Sequence, residues 1–202
     1  MTVPAPVRQH MDRTLASYEA SARDYNAIVA GHRPPEIEAA VRRMMQRVPA
    51  GGSVLEIGSG SGQDADLVES LGGVVRRTDA VQAFLDLQAE RGKKGELLNV
   101  VTDALGGPCD AILAMCVLIH VDRAKIAPVL RKVFDALVPG GVFLAAMRIG
   151  EGETLGDYQT VYWSKDAFAD ALVAAGLDLQ WDSQWIGRDD VTWANFLACR
   201  PR

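Results

Sequence analysis

The stretch from 53 to 64 reads SVLEIGSGSGQD, and it sets an acid, Glu56, two residues ahead of three glycines at alternate positions, Gly58, Gly60 and Gly62. Glycine takes positive φ without steric cost and lets a ligand approach the backbone closely. When such a turn follows a short apolar strand, it leads into a helix whose first N–H groups have no partner inside the helix. That is the chemistry of a nucleotide cradle. Two more acids stand in comparable places, Asp79 after VVRRT and Asp103 after LLNVVT.

Two nucleotide readings compete. A dinucleotide fingerprint runs G-x-G-x-x-G and seats a pyrophosphate on the helix N-terminus. Counted from Gly58 it requires glycine at 63, where this chain has Gln63. A carboxylate at Glu56 suits a cationic ligand end better than a pyrophosphate. Asp79 can accept from both hydroxyls of a ribose, and Asp103 from an adenine amino group. Together they describe a nucleoside with a positively charged arm and no phosphate.

These residues need elements to position them. Leu15, Tyr18, Ala22 and Tyr25 share one face of a helix from Val7 to about Ala30, after a loose tail over 1–6. Pro34-Pro35 opens a second helix striped by Ile37, Val41, Met44, Met45 and Val48. Strands and helices then alternate. Strands are predicted at Val54–Ile57, Val74–Thr78, Leu97–Thr102, Ala111–Val117 and Val142–Met147, with helices over 63–71 and 81–91 between them. A helix capped by Asp122 carries Pro128, which either kinks it or marks its start. A last helix begins after Ser164. Leu177–Ile186 and Thr192–Cys199 close the chain as a hairpin around GRDD. The alternation predicts an α/β fold with a mostly parallel sheet, helices on both faces and one antiparallel strand from the hairpin. Arg76-Arg77 reads as a pair of solvated strand ends. Trp181, Trp185 and Trp193 read as core or sheet-face residues, with Trp185 the best candidate for a site.

With 202 residues, 49% apolar and 23% charged, the chain suits one globular unit. A formal charge of −5 argues against a nucleic-acid partner. Cys109, Cys116 and Cys199 follow neither a zinc spacing nor a disulfide framework, so no metal is expected and a reducing cytoplasm fits. MTVPAPVRQH lacks the apolar stretch of a signal peptide, and no run is apolar enough to span a bilayer.

From Pro35 to Cys199 the chain resembles the class I S-adenosylmethionine-dependent methyltransferases. VLEIGSGSGQD looks like the family's first motif, VVRRTDA its second, VVTDAL its third, CDAILAMCVLIHV its fourth and LVPGGVF the entry to its fifth strand. The resemblance implies a Rossmann-like seven-stranded sheet with an N-terminal helical cap over 1–50 and a cofactor-binding domain over 51–202. It implies S-adenosylmethionine as cofactor, held by Glu56, Gly58, Ser59, Gly60, Gly62, Asp79, Ala80, Asp103, Ala104 and Met115, with Tyr25 at its methionine end. It implies an acceptor site drawing on Tyr18, His32, Tyr158, Tyr162 and Trp163. His120, after the fourth strand, is the candidate general base, and a capping or packing histidine is its plainer alternative. The acceptor is expected to be a small molecule or a short peptide end, methylated on O, N or C, by a monomer or homodimer. Two other functions stay open: a cofactor-binding module without catalysis, and a nicotinamide-dependent oxidoreductase.

Overall fold

The computed structural model describes residues 5–29, 31–188 and 190–202. Residues 1–4 of the expected tail, Ala30 and Asp189 of the GRDD turn lie outside the described residues. Two helices come first, α1 (Ala5–Val29) and α2 (Pro35–Met45). The alternating segment follows as β1 (Ser53–Ile57), α3 (Gln63–Ser70), β2 (Val74–Asp79), α4 (Gln82–Glu90), β3 (Gly95–Leu97) and β4 (Cys109–Met115). A single 3-10 turn, Leu118–His120, leads to α5 (Arg123–Ala136) and β5 (Leu137–Arg148). A small hairpin, β6 (Glu153–Leu155) and β7 (Gln159–Val161), precedes α6 (Lys165–Ala174), and β8 (Asp178–Ile186) and β9 (Thr192–Cys199) finish the chain.

The main sheet has seven strands in the order β3-β2-β1-β4-β5-β9-β8. β9 runs antiparallel to both of its neighbours, and the other described pairings from β3 to β5 are parallel. β4 and β5 are apolar nearly throughout because helices cover both faces, and Ile112, Leu113, Phe143 and Leu144 are fully buried. One core lies between the sheet and α5 with α6, and another between the sheet and α2. α2 earns its place there by stripe and start: Pro35 occupies its first turn, and Ile37, Ala40, Val41 and Met44 are buried.

The strand order reverses between β1 and β4. There the chain leaves β1 toward one edge and β4 toward the other, which opens a crevice beyond the carboxyl ends of the strands. α1 lies across that crevice and packs on α4. Its Glu19 carboxylate accepts from the Ala83 N–H at 3.1 Å, serving the first turn of α4, whose own cap residue Val81 offers no side-chain bond. Leu15, Tyr18 and Ala22 of α1 pack against Val81, Phe84 and Leu87.

Several expectations need correction. The third strand ends at Leu97 rather than Thr102, because Asn99 turns the chain: its Oδ1 accepts from the Val101 N–H at 2.9 Å. Pro128 neither starts nor ends α5; it sits inside it, nearly two turns after the Asp122 cap. The β6–β7 hairpin was not foreseen. Arg77 is not a solvated end but is 2% exposed, bonding Asp66, Glu69 and the Gly62 carbonyl. Arg76 remains half-exposed against Glu96.

Candidate active site

Each glycine of the turn has positive φ, yet the three do different work. A Cβ on Gly62 would fall 2.6 Å from the Arg77 guanidinium, so this glycine serves packing rather than a ligand. A Cβ on Gly58 would collide with Val117. A Cβ on Gly60 would meet nothing within 4 Å, which leaves open space above the backbone at the turn's apex. Asp79 fixes that apex. Its Oδ2 accepts from the Gly60 N–H at 2.7 Å and its Oδ1 from the Val81 N–H at 2.9 Å. A carboxylate has about four acceptor sites, so acceptor capacity is left for a ligand. Burial outweighs the opposing N–H groups of Gly60, Val81 and Ala80 and pushes the Asp79 carboxyl up to about 6.

Two adjoining cavities open here. The smaller, about 140 Å³, lies under α1 with Gly60, Asp79 and Ala80 on one side and Leu98, Val100 and Phe84 among its apolar walls. Among the described residues its wall contains no lysine or arginine, so nothing there would neutralise a phosphate. The larger, about 550 Å³, continues from the glycine turn toward the β8–β9 end. Its wall takes in Ser59, Asp64, His32, Tyr158, Arg148 and the pair Trp185 and Trp193. Those two indoles stand opposite each other across β8 and β9, with centroids 6.0 Å apart and planes 16° from parallel. The Arg148 guanidinium lies 5.0 Å from the Trp193 ring.

Tyr18, Tyr25, Gly58, Met115, Cys116 and His120 line both cavities. Cys116 adopts φ 58, and this sharp exit from β4 sets Met115 and Cys116 at the junction. Burial pushes the Cys116 thiol up to about 12, so it stays protonated. His120 Nδ1 lies 2.6 Å from the Gln159 carbonyl, and its Nε2 lies 3.0 Å from the Tyr18 hydroxyl. Burial holds the His120 imidazole below its ordinary value, against the opposing pull of the Gln159 carbonyl. Burial also drives the Tyr18 phenol well above the usual tyrosine range. The Tyr158 ring packs on Tyr18 at 4.3 Å, and its hydroxyl pairs with Ser21 at 2.9 Å. Tyr25 meets Tyr18 edge-on at 5.4 Å, its phenol raised by burial to about 12.

The structure thus gathers Gly58, Ser59, Gly60, Asp79, Ala80, Met115, Tyr18, Tyr25, His32, Tyr158 and His120 around one crevice. It does not bring the other predicted residues there. Asp103 and Ala104 are exposed, and the Asp103 carboxylate accepts from the Asn99 N–H at 2.8 Å, a bond that lowers it below its ordinary value. With the strand ending early, Leu98, Asn99 and Val100 occupy the wall that Asp103 was expected to face. Glu56 is buried behind the glycine turn and belongs to neither wall; its Oε2 has no hydrogen-bond partner among the described residues, and burial raises it well above the carboxylate range. Trp163 is buried against Phe168 and Arg123, and Tyr162 covers Gly150; neither lines either of these two cavities. Sequence reasoning missed Trp193, Phe84 and the Leu98–Val100 wall. Trp193 was within reach, since counting back from the hairpin turn pairs it with Trp185.

This fold and crevice define the class I S-adenosylmethionine-dependent methyltransferase architecture. Residues 29–180 match the family model described as a methyltransferase domain. The chain belongs to that family and is a methyltransferase. No curated protein sequence matches it. Among solved structures it is similar to 1,6-didemethyltoxoflavin-N1-methyltransferase of Burkholderia thailandensis, at TM-score 0.81 and 15% identity over 100% of this chain and 93% of that one. That structure holds 1,6-didemethyltoxoflavin and S-adenosylhomocysteine. It is also similar to an S-adenosylmethionine-dependent methyltransferase of Methanosarcina mazei, at 0.70 and 14% over 79% of this chain and 97% of that one. The [4+2]-cyclase SpnF shares the fold at 0.73 and 15%, over 92% of this chain and 94% of that one. Among the described residues no helix is long and apolar enough to cross a membrane, and no group of acidic, cysteine and histidine side chains could hold a metal ion.

Proposed function

We propose that the chain transfers a methyl group from S-adenosylmethionine to a small molecule held in the larger cavity. The observation that carries this reading is the Asp79 carboxylate at the floor of a cavity with no cationic side chain among its described residues. The acceptor capacity left on that carboxylate suits the hydroxyls of a ribose, and Gly60 leaves the space for it. Leu98, Val100, Val81 and Phe84 offer an adenine ring apolar faces. Ala80, Ser59, Gly58 and Met115 line the path from there toward the larger cavity, and Tyr25 closes it from α1. Gly62 and Glu56 act from behind by shaping the turn.

When bound, the cofactor supplies a methyl group on a positively charged sulfur, so the chain's own work is orientation and exclusion of water. Aligning two reactants can contribute about 7–11 kcal/mol. α1 covers the smaller cavity with Met11, Leu15 and Tyr18, which keeps water from the junction. Tyr158, His32 and Trp185 belong to the acceptor side, and His120 is the base for an acceptor that must lose a proton. A cavity of about 550 Å³ lined by side chains of one chain admits a small molecule or a short peptide end.

Calorimetry with S-adenosylhomocysteine tests the placement. Asp79→Ala removes two charge-assisted hydrogen bonds worth about 1.5–3 kcal/mol each, so affinity should fall at least about 100-fold with the fold intact by circular dichroism. Undiminished affinity in that variant rejects the ribose position.

A further inference from the structure

We propose that Tyr18 takes the proton of the methyl acceptor while passing its own to His120, and that the acceptor is an aromatic ring bearing a hydroxyl or a ring N–H. This rests on the methyltransferase reading above and names the substrate class of that site.

The hydrogen-bond chain fixes who donates to whom. A carbonyl oxygen only accepts, so His120 Nδ1, 2.6 Å from the Gln159 carbonyl, carries the ring proton. Nε2 of the neutral ring then holds the lone pair, and the Tyr18 hydroxyl 3.0 Å away donates to it. A base whose lone pair is already engaged by Tyr18 has none to offer an acceptor directly. The Tyr18 oxygen keeps lone pairs of its own, and its side chain faces the junction of both cavities. The route from acceptor to base therefore runs through Tyr18. Such a wire would be idle for a nucleophile that carries no proton, such as a tertiary amine or a thioether.

The walls supply the rest of the class. The near-parallel Trp185 and Trp193 and the Tyr158 ring present flat apolar faces within one cavity. The titratable and charged groups around His120 are Tyr18 and Tyr25 of α1, Cys116 beyond β4, Arg148 at the end of β5, Tyr158 ahead of β7, and Asp79 across the smaller cavity. Burial and Arg148 favour the neutral imidazole, and the Gln159 carbonyl favours the charged one; burial prevails, so the ring stands ready to accept.

The step balances. As the acceptor oxygen or nitrogen bonds to the methyl carbon, the carbon–sulfur bond breaks with its electron pair going to sulfur, while the acceptor's O–H or N–H bond breaks and the proton joins the Tyr18 oxygen. The original Tyr18 proton moves to Nε2 in the same motion. The phenol ends as it began, with no tyrosinate formed, which suits a hydroxyl this resistant to ionisation. The imidazole ends protonated and carries the unit positive charge given up by the methyl donor, until it releases a proton to water.

The experiment begins with S-adenosylhomocysteine binding to the wild-type protein, since absence of binding would sink the parent reading alone. S-adenosylhomocysteine release is then followed with 2-naphthol, with lumazine as a ring N–H, and with N,N-dimethylaniline, which has no proton to lose. Turnover is expected with one or both of the first two and not with the third. In Tyr18→Phe and in His120→Gln, kcat for 2-naphthol should drop about 100-fold or more. The drop for 4-nitrophenol, assayed above its own pKa, should be less than a tenth of that, because it arrives ionised. In the ligand-free protein, nitrogen NMR should show His120 as the neutral Nδ1–H ring, with its Nε2 resonance moving in Tyr18→Phe. Equal losses on both phenols would make the pair a structural tie and overturn the relay, as would a protonated Nε2 in the ligand-free wild type. A protein that binds S-adenosylhomocysteine but methylates dimethylaniline alone, or none of these rings, overturns the substrate class.

Discussion

Lowering the pH should weaken cofactor binding through Asp79. Its carboxyl is raised to about 6 from an ordinary value of 3.8, with burial as the leading cause. The folded value lies above the unfolded one. The group therefore contributes its full share of stability below about pH 4 and loses it as pH rises through about 6. At about 1.4 kcal/mol per pH unit, the ligand-free protein above pH 6 forgoes about 3 kcal/mol to keep this acid ionised. Ribose hydroxyls need that ionised form as their acceptor, and by bonding to it they return part of the deficit. At pH 5 only about a tenth of the ligand-free protein has Asp79 ionised, so affinity should be about 10-fold weaker than at pH 8. The fall continues below that to a ceiling of about 100-fold, where the bound form itself begins to protonate. S-adenosylhomocysteine calorimetry across this range measures it, with proton release read from buffers of differing ionisation heat. Affinity that stays flat from pH 5 to 8 refutes the reasoning, and so does an Asp79→Asn variant that binds weakly yet keeps the wild-type slope.

Gly60→Ala should cost about 1–2 kcal/mol of stability from its left-handed backbone and weaken S-adenosylhomocysteine binding as well, because the new methyl enters ligand space. Gly62→Ala should unfold at lower temperature than Gly60→Ala, since its methyl meets the Arg77 guanidinium rather than open space. Arg77→Met should destabilise by about 3 kcal/mol in chemical denaturation, the lower end for a broken buried pair, because Asp66 and Glu69 keep Arg91 and Lys93. Trp185→Ala should raise the KM of whichever acceptor is turned over at least about 10-fold, while S-adenosylhomocysteine affinity changes less than twofold, because Trp185 reaches only the larger cavity.

The glycine turn and Asp79 were readable for a local reason. A strand, a turn and a helix lie within one short stretch, and their backbone needs are written in glycine and in apolar alternation. β4 and β5 were equally plain, because a strand buried on both faces must be apolar throughout. Asp103 shows where local reading fails. Val-Val-Thr is good strand sequence, yet Asn99 closes a turn there, and Leu98 and Val100 are buried as loop residues against the crevice instead. Propensity yields to packing at such places. Arg77 is the same lesson in charge, since only α3, folded back over β2, brings Asp66 and Glu69 to it.

By itself, the sequence determined an α/β sheet with one antiparallel strand and a crevice whose glycines and acid suit a phosphate-free nucleoside. Those features repeat or end within a few residues, so periodicity and turn chemistry reveal them. Tertiary structure alone decided that Tyr18 meets His120, 102 residues away, and that the Gln159 carbonyl settles which nitrogen bears the proton. It also decided that Asp103 stays outside while Trp193 comes in. No spacing along a chain encodes the closure of a helix over a sheet; that geometry exists only once α1, β4 and β7 are packed against one another.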